Sequence, residues 1–210
     1  MRPYPIYLII ITGIIFFQCG SKIVPLQSSC VHHDLYIKVL PQEQTLLAKD
    51  TLQLQYSEMT NEFYFFLNRA LTIRQIKVGD QDLDFEVISD FDQRAQLHDS
   101  VLYKVNFPKS LFPTNIQIWY EGSFSASQGV DIDEKTCEID QNTVALTGDL
   151  CWYPRTLEDK STFSVKAYIP DNMNLASNAD FVYSEQSNDS LLCLWEQTEP
   201  MEQLDIYSLN

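Results

Sequence analysis

The sequence predicts an all-β chain, a β-sandwich or related fold of several sheets. Three observations predict it. Apolar and polar residues alternate in short runs, turn residues separate those runs, and no long stretch repeats every 3.6 residues. Successive side chains point to opposite faces of a strand, so each alternating run buries one face and wets the other.

The runs follow in order. Leu35, Ile37 and Val39 alternate with Tyr36 and Lys38; Leu52, Leu54 and Tyr56 alternate with Gln53 and Gln55. The continuous apolar run FYFFL (63–67) predicts a strand covered on both faces. Over 82–88, Leu83, Phe85 and Val87 point one way and Asp82, Asp84 and Glu86 the other, which predicts a half-buried strand with an acidic outer face. Val101 to Phe107, Ile116 to Tyr120 and Phe163 to Ile169 repeat the pattern, and LLCLW (191–195) with Leu204 and Ile206 closes it. Gly79-Asp80, Pro108-Lys109, Pro113-Thr114, Gly122, Gly148-Asp149 and Pro170-Asp171 are the turn signals between them.

A chain of 210 residues suits one domain, and 45% hydrophobic with 12% aromatic residues is ample for its core. The net charge is −15 and the few Lys and Arg are scattered, with no basic stripe, which argues against a nucleic-acid partner. The acidity favours solubility and repels an anionic lipid surface.

Residues 1–18 read as a signal peptide. Arg2 precedes a 12-residue apolar run, Ile6 to Phe17, too short to span a bilayer. Gln18-Cys19-Gly20-Ser21 then resembles a bacterial lipoprotein signal, with Cys19 as the lipid-bearing residue. Gln18 departs from the small residue usual there, and ordinary cleavage or an uncleaved anchor are the alternatives. The resemblance implies export to the bacterial cell envelope and a membrane anchor through the N-terminal lipid. Residues 19–30 form the tether and 31–210 the domain.

Export permits disulfides among Cys30, Cys137, Cys151 and Cys193. Cys137 and Cys151 flank a hairpin, and a bridge there would contribute roughly 3 kcal/mol on the chain-entropy model. Four buried thiols are the alternative. No C-x-x-C or spaced His pair supports a metal.

Candidate chemistry is sparse. His32 and His33 are adjacent, so on a strand they face opposite ways and cannot share a metal. His98-Asp99-Ser100 holds the residue types of a hydrolase triad, but contiguity prevents the required geometry. The acidic segment 131–140 has Lys135 and Thr136 where a calcium loop needs an oxygen ligand and Gly. Glycosidase chemistry would need an acid beside an aromatic, and Asp149 or Glu158 around Trp152 would be the candidates. Trp119, Trp152 and Trp195 could form a stacking platform, making a glycan-binding sandwich an alternative reading. Phosphate-loop, H-E-x-x-H and G-x-S-x-G motifs are all missing from the sequence.

From residue 31 onward the chain resembles the N-terminal β-domain of the aminopeptidase N family of zinc aminopeptidases. HHDLYIKVLPQEQTLLAKDTLQLQY is similar to that domain's first hairpin, FYFFLNRALTIRQIKVGDQDLDFEV to its next segment, and NIQIWYEGSFS to the strand after. Trp152-Tyr153-Pro154 falls at the family's Phe-Pro-Cys-x-Asp-Glu-Pro corner and matches a Trp-Tyr-Pro version of it. STFSVKAYIPDNMNLASNADFV and LWEQTEPMEQLDIY resemble the strands that follow. The resemblance implies a saddle-like, mostly antiparallel multi-sheet β-domain that leans on a thermolysin-like catalytic domain. It makes Trp152, Tyr153 and Pro154 a structural corner. The Gln or Glu with which active members grip the substrate amine is replaced by Thr143-Val144-Ala145-Leu146-Thr147, so no catalytic residue carries over. The 210 residues contain no zinc motif, which implies no cofactor, with zinc only in a separate catalytic domain. The expected function is a non-catalytic interaction or accessory module with a protein or peptide partner, a peptidase catalytic domain among the candidates. The alternative is a fragment of a zinc aminopeptidase.

Overall fold

A computed structural model describes residues 28–56, 61–88, 99–108, 113–125, 137–156, 160–187 and 190–208. Cys19 and the signal segment, His98 and Glu158 lie outside the described residues.

The described chain is almost entirely strand, in three sheets. The largest has eight strands in the order β13 (Asp180–Ser187), β14 (Ser190–Met201), β11 (Ser161–Pro170), β1 (Ser28–Leu40), β2 (Thr45–Tyr56), β8 (Asn115–Ser123), β4 (Leu71–Val78) and β5 (Gln81–Asp82). β1 and β11 are parallel, and the other pairs are antiparallel. A four-stranded sheet holds β12 (Leu175–Ser177), β15 (Ile206–Ser208), β10 (Val144–Leu146) and β9 (Cys137–Ile139). A three-stranded sheet holds β3 (Glu62–Asn68), β7 (Ser100–Asn106) and β6 (Phe85–Val87).

β1 and β2 form the first hairpin. Pro41 starts a 3-10 turn with its fixed φ, and Gln44 closes it in the left-handed region at φ 53°, its N–H donating to the Pro41 carbonyl at 3.1 Å. Leu35, Ile37 and Val39 of β1 and Leu46, Ala48 and Leu52 of β2 are buried on one face. They meet Phe63 and Phe65 of β3 and Leu146 and Ile206 of the four-stranded sheet in one continuous apolar core.

β8 runs between β2 and β4, and its Gly122 pairs with Leu71. A Cβ at Gly122 would lie 2.1 Å from the Ala70 carbonyl oxygen and 2.9 Å from the Leu71 Cα, both backbone atoms that cannot swing away. Gly122→Ala is expected to cost about 1–3 kcal/mol through overpacking, read as a lowered urea midpoint at unchanged slope.

Two expectations change. The run over 82–88 is not one half-buried strand: β5 pairs with β4 in the large sheet, and β6 pairs with β7 in the three-stranded sheet. The chain crosses between sheets at Leu83-Asp84, so the alternation loses its single inner face. Leu83 is buried, whereas Phe85 and Val87 are 39% and 56% exposed. The second change is β13, an edge strand the sequence pattern did not mark. Its residues are exposed on both sides, including Phe181, Val182 and Tyr183, and an edge strand needs no alternation.

Candidate functional site

The stretch from Thr147 to Thr156 turns a corner between β10 and β11. A 3-10 turn at Gly148–Leu150 ends at Cys151, which takes the left-handed conformation at φ 54°, and the Cys151 N–H donates to the Gly148 carbonyl. Gly148 is itself required: a Cβ there would lie 2.8 Å from both the Gln203 Cβ and the Leu204 carbonyl oxygen. Pro154 follows with fixed φ and holds Tyr153 extended. Cys151, Trp152, Tyr153 and Pro154 are all buried.

Two neighbours lock this corner. On one side it pairs with β3: Phe66 and Arg155 exchange backbone hydrogen bonds at 2.7 and 2.9 Å, and the Asn68 side-chain amide donates to the Leu150 carbonyl at 2.8 Å. On the other it grips the segment leading into β15. The Trp152 indole N–H donates to the Leu204 carbonyl, and the Leu204 N–H donates to the Tyr153 hydroxyl, each at 3.1 Å. The Gly148 N–H donates to the Asp205 carboxylate at 2.7 Å. The Arg155 guanidinium reaches the Gly148 and Glu202 carbonyls at 2.9 and 3.0 Å, with Asp149 at 3.8 Å. Asp149 is thus an ion-pair partner of Arg155 at the rim of the corner.

Beneath Tyr153 lies a buried ionisable pair. His33 and Asp50 are 2% and 0% exposed, with Nδ1 2.7 Å from Oδ2. The His33 ring stacks on Phe163 at 4.9 Å and meets the edge of Tyr153 at 5.2 Å. Cys30 adds a second side-chain hydrogen bond to the imidazole. Burial by itself lowers the His33 pKa, but Cys30 and Asp50 outweigh it and hold the ring protonated, up to about 10. Burial raises the Asp50 carboxyl, and the imidazolium opposes that shift. His32 points to the opposite face and bonds Thr162 Oγ1 at 2.7 Å, as strand geometry requires. Beside the pair lies a cleft of about 10 Å³, bordered by Arg155, Thr156, Ser161 and Glu202. That is room for about one water molecule, not for a substrate.

Burial governs the Cys137 and Cys151 thiols. No disulfide joins the described cysteines, so the bridge considered between Cys137 and Cys151 is not formed in this structure. The two face different clusters: Cys151 packs with Phe66 and Leu102 under β3 and β7, while Cys137 lies against the main core with its thiol toward the Thr147 carbonyl at 3.9 Å. Burial pushes both thiols up to about 12, far above the range of a nucleophilic thiolate.

The tryptophan platform is also corrected. Trp152 and Trp195 are 0% and 1% exposed and serve the core. Trp119 alone of the three reaches the surface, where Lys49 and Lys77 lie over its ring at 5.0 and 6.0 Å. Residues 143–147 hold β10 (Val144–Leu146) between two threonines; Val144 and Leu146 are buried, and none of the five side chains is an acid or an amide. Sequence reading missed the His33–Asp50 pair, because 17 residues and a hairpin turn separate its members. The one signal was polar residues, His33 and Asp50, at inward positions of alternating strands.

Among the described residues, no group of three or more His, Cys, Asp or Glu side chains could hold a metal ion. The described residues therefore do not fit a zinc centre, and no step runs through one here.

Neither a protein-family model nor a curated protein sequence matches the chain. Solved structures do share its fold. One is an M1 zinc metallopeptidase from Deinococcus radiodurans, a mutant bound to a Tyr-Ser-Ala substrate, at TM-score 0.67 and 16% identity over 87% of this chain and 42% of that one. A two-domain M1 zinc metallopeptidase bound to L-arginine superposes at TM-score 0.67 with 16% identity, over 87% of this chain and 42% of its own length. Native yeast LTA4 hydrolase follows at TM-score 0.59 and 13% identity, covering 87% of this chain and 29% of its own. The chain spans less than half the length of these relatives, and across that span it has the all-β fold of the N-terminal domain of M1 zinc metallopeptidases.

Proposed function

We propose that this protein is an exported, lipid-anchored, non-catalytic β-domain that acts as an accessory or interaction module, its partner a protein or peptide and, by preference, a peptidase catalytic domain. The observation that carries the reading is the pairing of the peptidase N-terminal fold with a corner held entirely by structural contacts. Every polar group described at that corner bonds backbone or pairs within the domain, and the cleft beside it admits no substrate. The corner and the four-stranded sheet behind it make a rigid wall of the kind that a separate catalytic body can lean on. Anchoring rests on Cys19, directly after the apolar run.

The test is an assay of the purified full-length protein on aminoacyl and dipeptide substrates, with and without a zinc chelator. Hydrolysis no faster than the buffer blank is expected; turnover that the chelator abolishes would overturn the reading. Mass spectrometry of the mature protein should find acylated Cys19 as the first residue, and an unmodified Cys19 would remove the anchor.

The span of 42% of a whole peptidase favours a second reading, a piece of a longer zinc aminopeptidase. An H-E-x-x-H frame in the encoding DNA beyond residue 210 would establish it.

A further inference from the structure

β13 closes one end of the eight-stranded sheet, and no described strand pairs with its outer edge. Natural edges block unwanted pairing with Lys, Pro or a bulge. The β13 sequence, DFVYSEQS, has neither Lys nor Pro. A bulge at Val182 breaks the register once, and from Tyr183 to Ser187 the ladder with β14 runs regularly. The pairing register also sorts the chemistry of this edge by face. Phe181 lies opposite Trp195, a core residue, and so continues the inner face, where it is 59% exposed. Asp180, Tyr183 and Glu185 lie on the outer face, opposite Glu196, Leu194 and Leu192. Asp180, Glu185 and Glu196 are exposed, and none of the three is ion-paired among the described residues. No Lys, Arg or His occurs from Asp171 to the end of the chain. The cation in the row of Tyr183 is Lys166, two strands inward or about 10 Å away, and the rows of Asp180 and Glu185 hold none on β14 or β11.

We propose that the β13 edge takes an extended segment of a partner protein in which Lys or Arg alternates with apolar residues. The proposal rests on the reading of this domain as an interaction module, and it names the surface and the chemistry of the partner. The added strand pairs its backbone with the open edge. Its side chains alternate between the two faces. Its cations therefore meet Asp180 and Glu185 on the outer face, with the Tyr183 ring beside them, while its apolar residues cover Phe181 on the inner face. Charge complementarity picks this occupant, because every charged residue on β13 and β14 is acidic. A second copy of the chain fits less well, because it would bring two acidic edges together. An anionic bilayer would meet the same carboxylates.

The experiment is titration of the full-length protein into a fluorescein-labelled octapeptide of alternating Lys and Val, followed by anisotropy. The comparisons are an alternating Glu and Val peptide and two N-methylated isomers of the Lys-Val peptide, one methylated at every Lys and one at every Val. The N–H groups of alternate residues point to the same edge of an extended strand, so one isomer should lose binding and the other keep it. The Lys-Val peptide is expected to bind, more weakly as salt rises, and to slow hydrogen exchange in β13. Asp180→Lys with Glu185→Lys should weaken it at least about tenfold by reversing two ion pairs, and Phe181→Ser should weaken it without changing the salt slope. Circular dichroism checks that these surface variants remain folded. Absence of Lys-Val binding at low salt overturns the proposal. So does equally tight binding of the Glu-Val peptide or of both N-methylated isomers, or an unchanged affinity in the double charge reversal. Sedimentation as a dimer whose β13 amides are protected without peptide would give the edge to a second copy and overturn it too. None of these readouts depends on hydrolysis: failure here removes this surface, whereas turnover that a zinc chelator abolishes removes the module reading.

Discussion

Trp152→Ala should lower the unfolding free energy by about 3–5 kcal/mol, the range for removing a buried tryptophan. The side chain is fully buried, so the variant loses its transfer term and leaves a cavity. The site cannot collapse readily, because backbone bonds to Phe66 and Asn68 pin the corner on one side and the Leu204 segment bounds it on the other. The substitution also strips the indole donor from the Leu204 carbonyl and removes the edge contact to Tyr153 at 5.0 Å. Tyr153→Phe is the milder control. It keeps the ring and removes only the oxygen that accepts from the Leu204 N–H, for about 1–3 kcal/mol. Urea titration followed by intrinsic fluorescence and by circular dichroism measures both. A Trp152→Ala midpoint indistinguishable from wild type would show that the corner is not the structural elbow described.

Asp50→Ala is expected to cost about 3–5 kcal/mol, because it leaves the buried imidazolium of His33 without its carboxylate. Replacing both members, His33→Leu with Asp50→Leu, should recover much of that loss, since a buried pair offsets little more than its own desolvation. Asp50 Oδ1 has no hydrogen-bond partner among the described residues, which makes the pair less fully satisfied and the recovery larger.

The same pair sets a pH dependence with a definite sign. The imidazolium faces Asp50 and Cys30 and is covered by the Tyr153 and Phe163 rings, and its folded pKa is raised to about 10 from 6.5. Its contribution is therefore complete below about pH 6.5 and is lost as pH rises through about 10. The slope of that loss is bounded near about 1.4 kcal/mol per pH unit. Asp50, raised by burial, titrates in the same sense, so stability falls with rising pH through both groups. The double-leucine variant should show a flatter stability profile between pH 7 and 10. A wild-type profile no steeper than the variant's would mean that His33 is not held protonated.

Single strands were the most legible feature of this chain. Phe63, Phe65 and Leu67 in a continuous apolar run, and Leu35, Ile37 and Val39 in alternation, became buried strand faces as their pattern required. The corner was legible as well, because Pro154 restricts its own φ and the residue before it whatever the context. Where the pattern misled, a sheet boundary intervened. Asp82 to Val87 alternate cleanly, yet belong to two sheets, and Phe85 and Val87 face solvent.

By itself, then, the sequence determined that this is an all-β domain with its inward residues and its corner in place. Side-chain alternation and proline geometry act within a few residues, so local order suffices to read them. Only the tertiary structure decided the partners. The parallel pairing of β1 with β11 joins residues about 130 apart, as at His32 and Thr162. His33 finds Asp50 across a hairpin, and Lys49 and Lys166, far apart in the chain, both flank Tyr36 on one face of the large sheet. Strand register, a property of the whole sheet, sets these meetings, and no local spacing encodes it.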